Sequence, residues 1–340
     1  MNLVTGASGL VGSHLLIRLL GEGENVRALY RNQESIDRTK KNFELHGADT
    51  MTLFDKIDWA KGDVTDIMSM EDAFEGVSYV YHCAALVSFK KSEKELLFKT
   101  NIEGTRNLVN VCLKRDIKKL CHVSSTAAIG KAFEQDLANE ELPWKKEKNT
   151  SNYSISKYHA EMEVWRGIEE GLNAVIVNPS IILGPADWGR GSAELFNKVW
   201  KGLKYYTLGK NAFVDVRDVV SCMISLTRSD ISGERYLVCS ENLTYQQLFT
   251  MIAKYLGKPA PTVQIKAWFL NIVWRLELAR AFVFRKSPLV TKEMAQSSMS
   301  TRTYDNDKIS EALNFKFISV EESIKDTAKL FLLNTEKKSV

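Results

Sequence analysis

The chain has 340 residues, 44% hydrophobic and 26% charged, with a formal net charge of +4, enough material for one large α/β domain or two lobes. The charge is modest and spread out, which argues against nucleic acid, and the short basic run RTKKN at 38–42 reads as a solvated helix face. Five scattered cysteines (Cys83, Cys112, Cys121, Cys222, Cys239) with no CxxC pair argue for reduced thiols in a cytoplasmic protein, and against a disulfide frame or a metal site.

The chain opens on the strand-like NLVTG, so no signal peptide is expected. This first strand, residues 3–5, runs into TGASGLVG, with glycines at 6, 9 and 12, and then into the apolar LLIRLL. Strand, glycines and helix in that order read as a dinucleotide-binding turn. Gly6 makes the tight turn, and backbone NH groups along Ser8, Gly9, Leu10 and Val11 face a pyrophosphate. Gly12 lets helix and strand pack closely. His14, on the same helix, reads as packed or solvated.

The second strand, 25–30, ends at Tyr30, Arg31 and Asn32, and the first acid comes only at Glu34. An NAD-preferring site places a carboxylate there for the ribose 2′-hydroxyl. Arg31 suits a 2′-phosphate instead, so NADP(H) is favoured over NAD(H). Further strands are expected at 57–60, 79–82, 119–123 and 174–178, with amphipathic helices at 10–20, 66–75, 95–114 and 153–170. That alternation predicts a parallel sheet covered on both faces.

After Pro179 the pattern breaks. Glycines recur through 184–211, as in loops over a ligand, and FVDV (213–216) and RYLVCS (235–240) read as returns to the sheet. From 241 the chain is mostly helical. The segment AWFLNIVWRLELARAFVF, 267–284, is interrupted by Arg275, Glu277 and Arg280, so no transmembrane segment is expected. It reads as an amphipathic helix covering a ligand pocket or packing on a neighbour, with peripheral membrane contact as the alternative.

YSISK, 153–157, places a phenol and an ammonium four residues apart, on one helix face. A free tyrosine, with a pKa near ~10, is a poor base at neutrality. A nearby lysine favours the phenolate, and the phenol can then pass a proton to or from a substrate oxygen.

The glycine turn together with Tyr153-x-x-x-Lys157 resembles the extended short-chain dehydrogenase/reductase family, also described as NAD-dependent epimerase/dehydratase-like. Matching segments follow in order: GDVTD (62–66), HCAA (82–85), NIEGTRNL (101–108), VSSTAAIG (123–130), NPSIILGP (178–185), FVDVRDVV (213–220) and YDNDKISEALNF (304–315). The resemblance implies a Rossmann-type doubly wound parallel sheet with a smaller, mostly helical C-terminal substrate lobe. Residues 1–183 would form the dinucleotide-binding domain, with 212–240 returning to it, and 184–211 with 241–340 the substrate lobe. It implies that Asp63 meets the adenine amine and that Asn101 approaches the cofactor. Val64, Ala84 and Pro179 complete the expected cofactor contacts. Ser125, five residues before Gly130, stands where the family's catalytic hydroxyl does, beside Tyr153 and Lys157.

Nucleotide-sugar members often carry an arginine where this chain has Asn178, and an asparagine where it has Ile181. The second strand VRALYR, NPSIILGP and FVDVRDVV are most similar to the dihydroflavonol-4-reductase-like group and the related 3β-hydroxysteroid dehydrogenases. The resemblance therefore implies a small-molecule substrate, a bulky and largely apolar ketone, aldehyde or alcohol. Trp188, Trp200, Trp268, Phe269 and Trp274 are expected near it. Two alternatives stand beside this: a nucleotide-sugar epimerase or dehydratase holding NAD tightly, and a non-catalytic dinucleotide sensor. A dehydratase would want an acid beside Ser125, where Thr126 and Ala127 follow, and a sensor commonly loses the tyrosine or lysine kept here. Lys204, Lys210 and Arg217 would serve the epimerase reading if the fold gathered them into a phosphate site. Oligomeric state is left open, a homodimer included.

Overall fold

The computed structural model describes residues 1–132, 136–284 and 292–337. Residues 133–135, and 285–291 and 338–340 of the expected substrate lobe, lie outside the described residues. Strand and helix alternate from the start. β1 (Asn2–Thr5) leads into α1 (Leu10–Gly21), β2 (Val26–Tyr30) into α2 (Gln33–Leu45) and α3 (Ala48–Phe54), and β3 (Asp58–Lys61) into α4 (Ile67–Glu71). β4 (Tyr79–His82), α5 (Lys94–Phe98), α6 (Gly104–Lys114), β5 (Lys119–Val123), α7 (Asn152–Glu169) and β6 (Ala174–Pro179) follow. Then come β7 (Ile181–Leu183), α8 (Glu194–Trp200), β8 (Tyr205–Tyr206), β9 (Lys210–Asp215), α9 (Val216–Arg228), β10 (Glu234–Val238) and β11 (Glu241–Thr244). The last elements are α10 (Tyr245–Leu256), β12 (Val263–Gln264), α11 (Ala267–Phe284), α12 (Lys292–Met299), α13 (Asp307–Leu313) and α14 (Val320–Lys337).

Seven strands form one parallel sheet in the order β10-β6-β5-β4-β1-β2-β3. Successive residues of each strand feed opposite cores, because side chains alternate across a sheet. Val4, Ala28, Tyr81, Cys121 and Val175 pack with α1 and α9 on one face. Leu3, Leu29, Val80, Leu120 and Ile176 pack with α6 and α7 on the other. This is the doubly wound sheet expected, its strands buried on both sides and apolar along their length. The chain winds outward both ways from β1 and β4, and the crevice between their carboxyl ends is where such sheets bind ligands.

Three expectations need correction. FVDV lies in β9, which pairs with β7 and β11 in a separate three-stranded sheet, and does not return to the main one. An apolar run signals a buried strand without saying which partner it meets; RYLVCS does return, as β10 beside β6. The expected helix 95–114 is broken by a π-helical turn at Lys99–Glu103. The expected helix 66–75 ends as a 3₁₀ turn, Asp72–Phe74.

A third core joins Leu183, Phe196, Phe213, Leu248, Ile252, Ile324 and Phe331 of α8, α10, α14 and the small sheet. Trp188 and Trp200 pack against it, both edge-on to Phe331, and both also line the large cleft at the glycine turn. On α11, by contrast, Trp268, Phe269, Ile272 and Leu276 are exposed, so the covering role expected of this helix is not what these side chains do. No helix among the described residues is long and apolar enough to cross a membrane.

Candidate active site

The glycine turn is built by close backbone approach. Gly6 has φ +70°, and a Cβ there would stand 2.6 Å from the Ala84 nitrogen beyond β4. A Cβ on Gly12 would stand 2.2 Å from the Gly6 carbonyl oxygen. The N-terminus of α1, at Gly9, has no side-chain cap and no acid in its first turn. Helices α2, α7, α9 and α10, in contrast, are capped by Asn32, Ser151, Asp215 and Thr244. Uncapped first-turn amides at the positive end of a helix are donors for an anion. They open on a cleft of about 1720 Å³ lined by Gly6, Ser8, Gly9, Leu10, Arg31, Asp63, Val64 and Ala84. This donor set and shape fit a dinucleotide. Val11 and Gly12 are buried in α1 and contribute packing to the same turn.

At the far end of β2, Arg31 is exposed, with Nη1 3.9 Å from Asp63 Oδ2. Asp63 Oδ1 accepts from the Thr65 amide and hydroxyl, both at 2.9 Å. Ser35, Arg38 and Lys41 of α2 line this end of the cleft too. The run RTKKN, expected as a solvated face, therefore turns two of its cations toward the cleft. The clue was their spacing: Arg38 and Lys41 are three apart on one face, seven and ten residues past Arg31.

Tyr153 and Lys157 start α7, and Ser125 follows β5. Burial pushes the Tyr153 pKa up, and the neighbouring Ser125 hydroxyl acts the other way. Ser125 also caps its own turn, its Oγ accepting from the Ala127 amide at 3.1 Å. Lys157 is buried, and its Nζ donates to the Val123 carbonyl at 2.9 Å. Burial lowers its pKa to about 8, opposed chiefly by the Glu161 charge. Cys83, after β4, lies on the cleft wall. The Phe89 ring stands 5.8 Å from that of Tyr153.

Asn101 sits in the π-helical turn, buried, and does not line the cleft. Its amide donates to Ser156 Oγ (2.9 Å) and the Leu86 carbonyl (3.0 Å), and its Oδ1 accepts from the Leu86 amide (2.7 Å). It clamps the segment after β4 to α7. Pro179 is likewise buried at the end of β6. Behind the glycine turn, His82 bridges the Thr5 and Thr105 hydroxyls at 2.8 and 3.0 Å. Burial, then the Lys157 charge, lowers its pKa to about 3.

A buried polar group adjoins this cluster that the motifs did not single out. Glu161 accepts from Ser124 and Asn178 on one oxygen and from Arg235 and Trp165 on the other. Its signal was the spacing Tyr153, Lys157, Glu161, which continues one helix face.

Residues 2–239 match the model of the NAD dependent epimerase/dehydratase family. The chain belongs to that family. It is 31% identical over 290 residues to "Sterol demethylase protein B" of Methylococcus capsulatus, covering 84% of each chain. It is 28% identical to "Dihydroflavonol 4-reductase" of Callistephus chinensis, over 73% of this chain and 71% of that one. Among solved structures it superposes on UDP-glucose 4-epimerase of Thermotoga maritima, with UDP-glucose, at a TM-score of 0.76. That match covers 98% of this chain and 100% of the other at 22% identity, and it shows the fold alone. The family resemblance and the doubly wound fold implied by the motifs both hold.

Proposed function

We propose that this chain is an NADP(H)-preferring oxidoreductase acting on a carbonyl/alcohol pair of a bulky, largely apolar molecule. The observation that carries the reading is the Ser125–Tyr153 hydroxyl pair with Lys157 one turn along, beside a dinucleotide-shaped cleft. When bound, the nicotinamide cofactor supplies or accepts a hydride. The Ser125 hydroxyl donates to the substrate oxygen and to the charge developing on it. The Tyr153 phenol gives that oxygen its proton in reduction and removes it in oxidation. Lys157 holds positive charge behind the site, which favours the phenolate at the moment of transfer.

Arg31, Arg38 and Lys41 favour a 2′-phosphate over a free 2′-hydroxyl, because charge-assisted contacts to phosphate are stronger than neutral ones. The apolar side chains near Tyr153 support the substrate class: Phe89 faces its ring, and Val87 and Leu96 are exposed nearby along the chain. The phosphate site an epimerase would need is not supported at Arg217, which is held by Asp215 (2.8 Å) and Asp326 (2.9 Å). The relative named for dihydroflavonol reduction agrees with the reading. The test is NADPH oxidation by the purified chain with a panel of bulky aromatic and alicyclic ketones and aldehydes, alongside calorimetry with UDP and dTDP. Turnover of the panel is expected. Nucleotide binding tighter than about 100 μM, near −5.5 kcal/mol, with no turnover would move the assignment to an epimerase.

A further inference from the structure

Tyr153, Lys157 and Glu161 stand at successive four-residue steps on one face of α7. Glu161 takes no part in the proton transfer above, yet it is only 2% exposed and both its oxygens are engaged. Oε1 accepts from Arg235 Nη1 (2.9 Å) and Trp165 Nε1 (3.3 Å). Oε2 accepts from Ser124 Oγ (2.6 Å) and Asn178 Nδ2 (2.7 Å), and the same Asn178 amide donates to the Ser125 carbonyl (3.1 Å). Through Ser124 and Asn178 this one carboxylate grips the backbone that carries Ser125. Glu161 lies one turn along the same face of α7 from Lys157, and its charge acts to raise the Lys157 pKa.

We propose that Glu161 is a positioning residue for the reaction, its charge keeping Lys157 an ammonium and its hydrogen bonds holding the Ser125 turn against Tyr153. This rests on the reading of Ser125, Tyr153 and Lys157 as the reacting machinery. The groups facing Lys157 from other elements do not replace it. His82 on β4 and His122 on β5 are both driven toward neutrality by burial and by Lys157 itself. The thiol of Cys83, after β4, is pushed up by burial and so carries no charge near neutrality. Of the groups that raise the Lys157 pKa, Glu161 has the larger effect and is the carboxylate. On its far side Arg235, from β10, keeps the buried charge paired, and the Arg235 Nε in turn donates to the Glu140 carbonyl (3.1 Å). A buried charge left alone would be costly, and a pair placed behind a catalytic amine tunes it.

The decisive readout needs no substrate: titration of the Lys157 ε-carbon resonance by NMR in the full chain, assigned with Lys157→Arg. The wild-type midpoint is expected near 8, lowered from the ordinary lysine value by burial. Glu161→Gln keeps shape and acceptor but removes charge, and lowers that midpoint by about one pH unit. Arg235→Met breaks the same ion pair but leaves the carboxylate, and does not lower it. Equal downward shifts in both variants, or none in Glu161→Gln, overturn the charge role. If Glu161→Gln fails to fold, Glu161→Asp carries the positioning test: it keeps the charge but draws the oxygens back from Ser124 and Asn178, so kcat falls at an unmoved midpoint, and an unchanged kcat overturns the positioning role. Asn178→Ala loosens the Ser125 turn without touching charge, and lowers kcat roughly tenfold at every pH; an unchanged kcat overturns the positioning role. Tyr153→Phe, assayed in parallel, keeps the two readings apart: full turnover there sinks the assignment of the site, whereas an unmoved Lys157 midpoint sinks only the role of Glu161.

Discussion

Burial drives the Tyr153 phenol upward, and the Ser125 hydroxyl opposes it; in the proposed reaction that phenol is the proton donor. Tyr153→Phe keeps the ring and the packing on Phe89 but has no proton to give. Turnover should fall by at least ~100-fold while NADPH binding, measured by fluorescence titration, survives. The pH dependence follows from Lys157, whose pKa stands at about 8, below that of a free lysine, mainly through burial. Its ammonium is present below that value and lost above it, so reductive kcat should decline as pH rises through ~8. A profile flat from pH 7 to 10 would count against this. At the other end of the cleft, Arg31→Ala should weaken NADPH roughly ten- to a hundredfold, the worth of one charge-assisted contact of about 1.5–3 kcal/mol, and leave NADH nearly untouched. Equal losses for both cofactors would refute a 2′-phosphate contact. At this scale the sequence was legible wherever chemistry is local. Tyr153 and Lys157 announce themselves by spacing, and Gly6 by its place after a strand. Glu161 did not, because a lone glutamate on a helix looks solvated until the fold brings up Arg235, 74 residues away. Arg38 and Lys41 were hidden for the same reason in a run of cations.

Elements carry the next constraint, and the contact between β1, the glycine turn and α1 is the tightest. Gly12→Ala would drive a Cβ to 2.2 Å from the Gly6 oxygen, backbone against side chain, with no flexible group to yield. Overpacking of that kind costs about 1–3 kcal/mol, and it pushes the first-turn amides of α1 out of line with the cleft. Both the melting temperature and NADPH affinity should drop. Gly21→Ala, at the other end of the same helix with nothing within 4 Å, is the control and should leave both unchanged. A Gly12→Ala protein that melts and binds as wild type would mean the turn is not built as described. The strands of the main sheet were readable because burial on both faces makes them continuous apolar runs, as in Ala174–Pro179. The same property made FVDV ambiguous. Pairing partners are tertiary facts, and β9 finds β7 and β11 through residues on either side of it in sequence. The π-helical turn before α6 leaves no periodic trace, since one extra residue per turn is masked by the apolar positions around it.

Across the whole molecule, the seven-stranded sheet and the C-terminal helices are tied together at the start of α9. Arg217 joins Asp215 to Asp326 of α14, and Asp218 accepts from the Ile318 amide at 2.8 Å, just before α14. Asp218 is buried, and its pKa rises to about 7, chiefly by desolvation, with Asp215 and Glu322 adding to it and Arg217 and the Ile318 bond opposing. The sign of the linkage follows. Between the ordinary carboxylate value of 3.8 and about 7 the folded state holds a proton here that the unfolded state has released. Stability from this group is therefore full at low pH and lost as pH rises through that window. Asp218→Asn keeps an acceptor for the Ile318 amide and does not titrate. Its melting temperature relative to wild type should climb between pH 4 and pH 8, measured by calorimetry across that range, and level off above it. A difference that stays constant with pH would mean that Asp218 is ionised in the folded protein across that range, and that the link to the segment before α14 is a charged one after all.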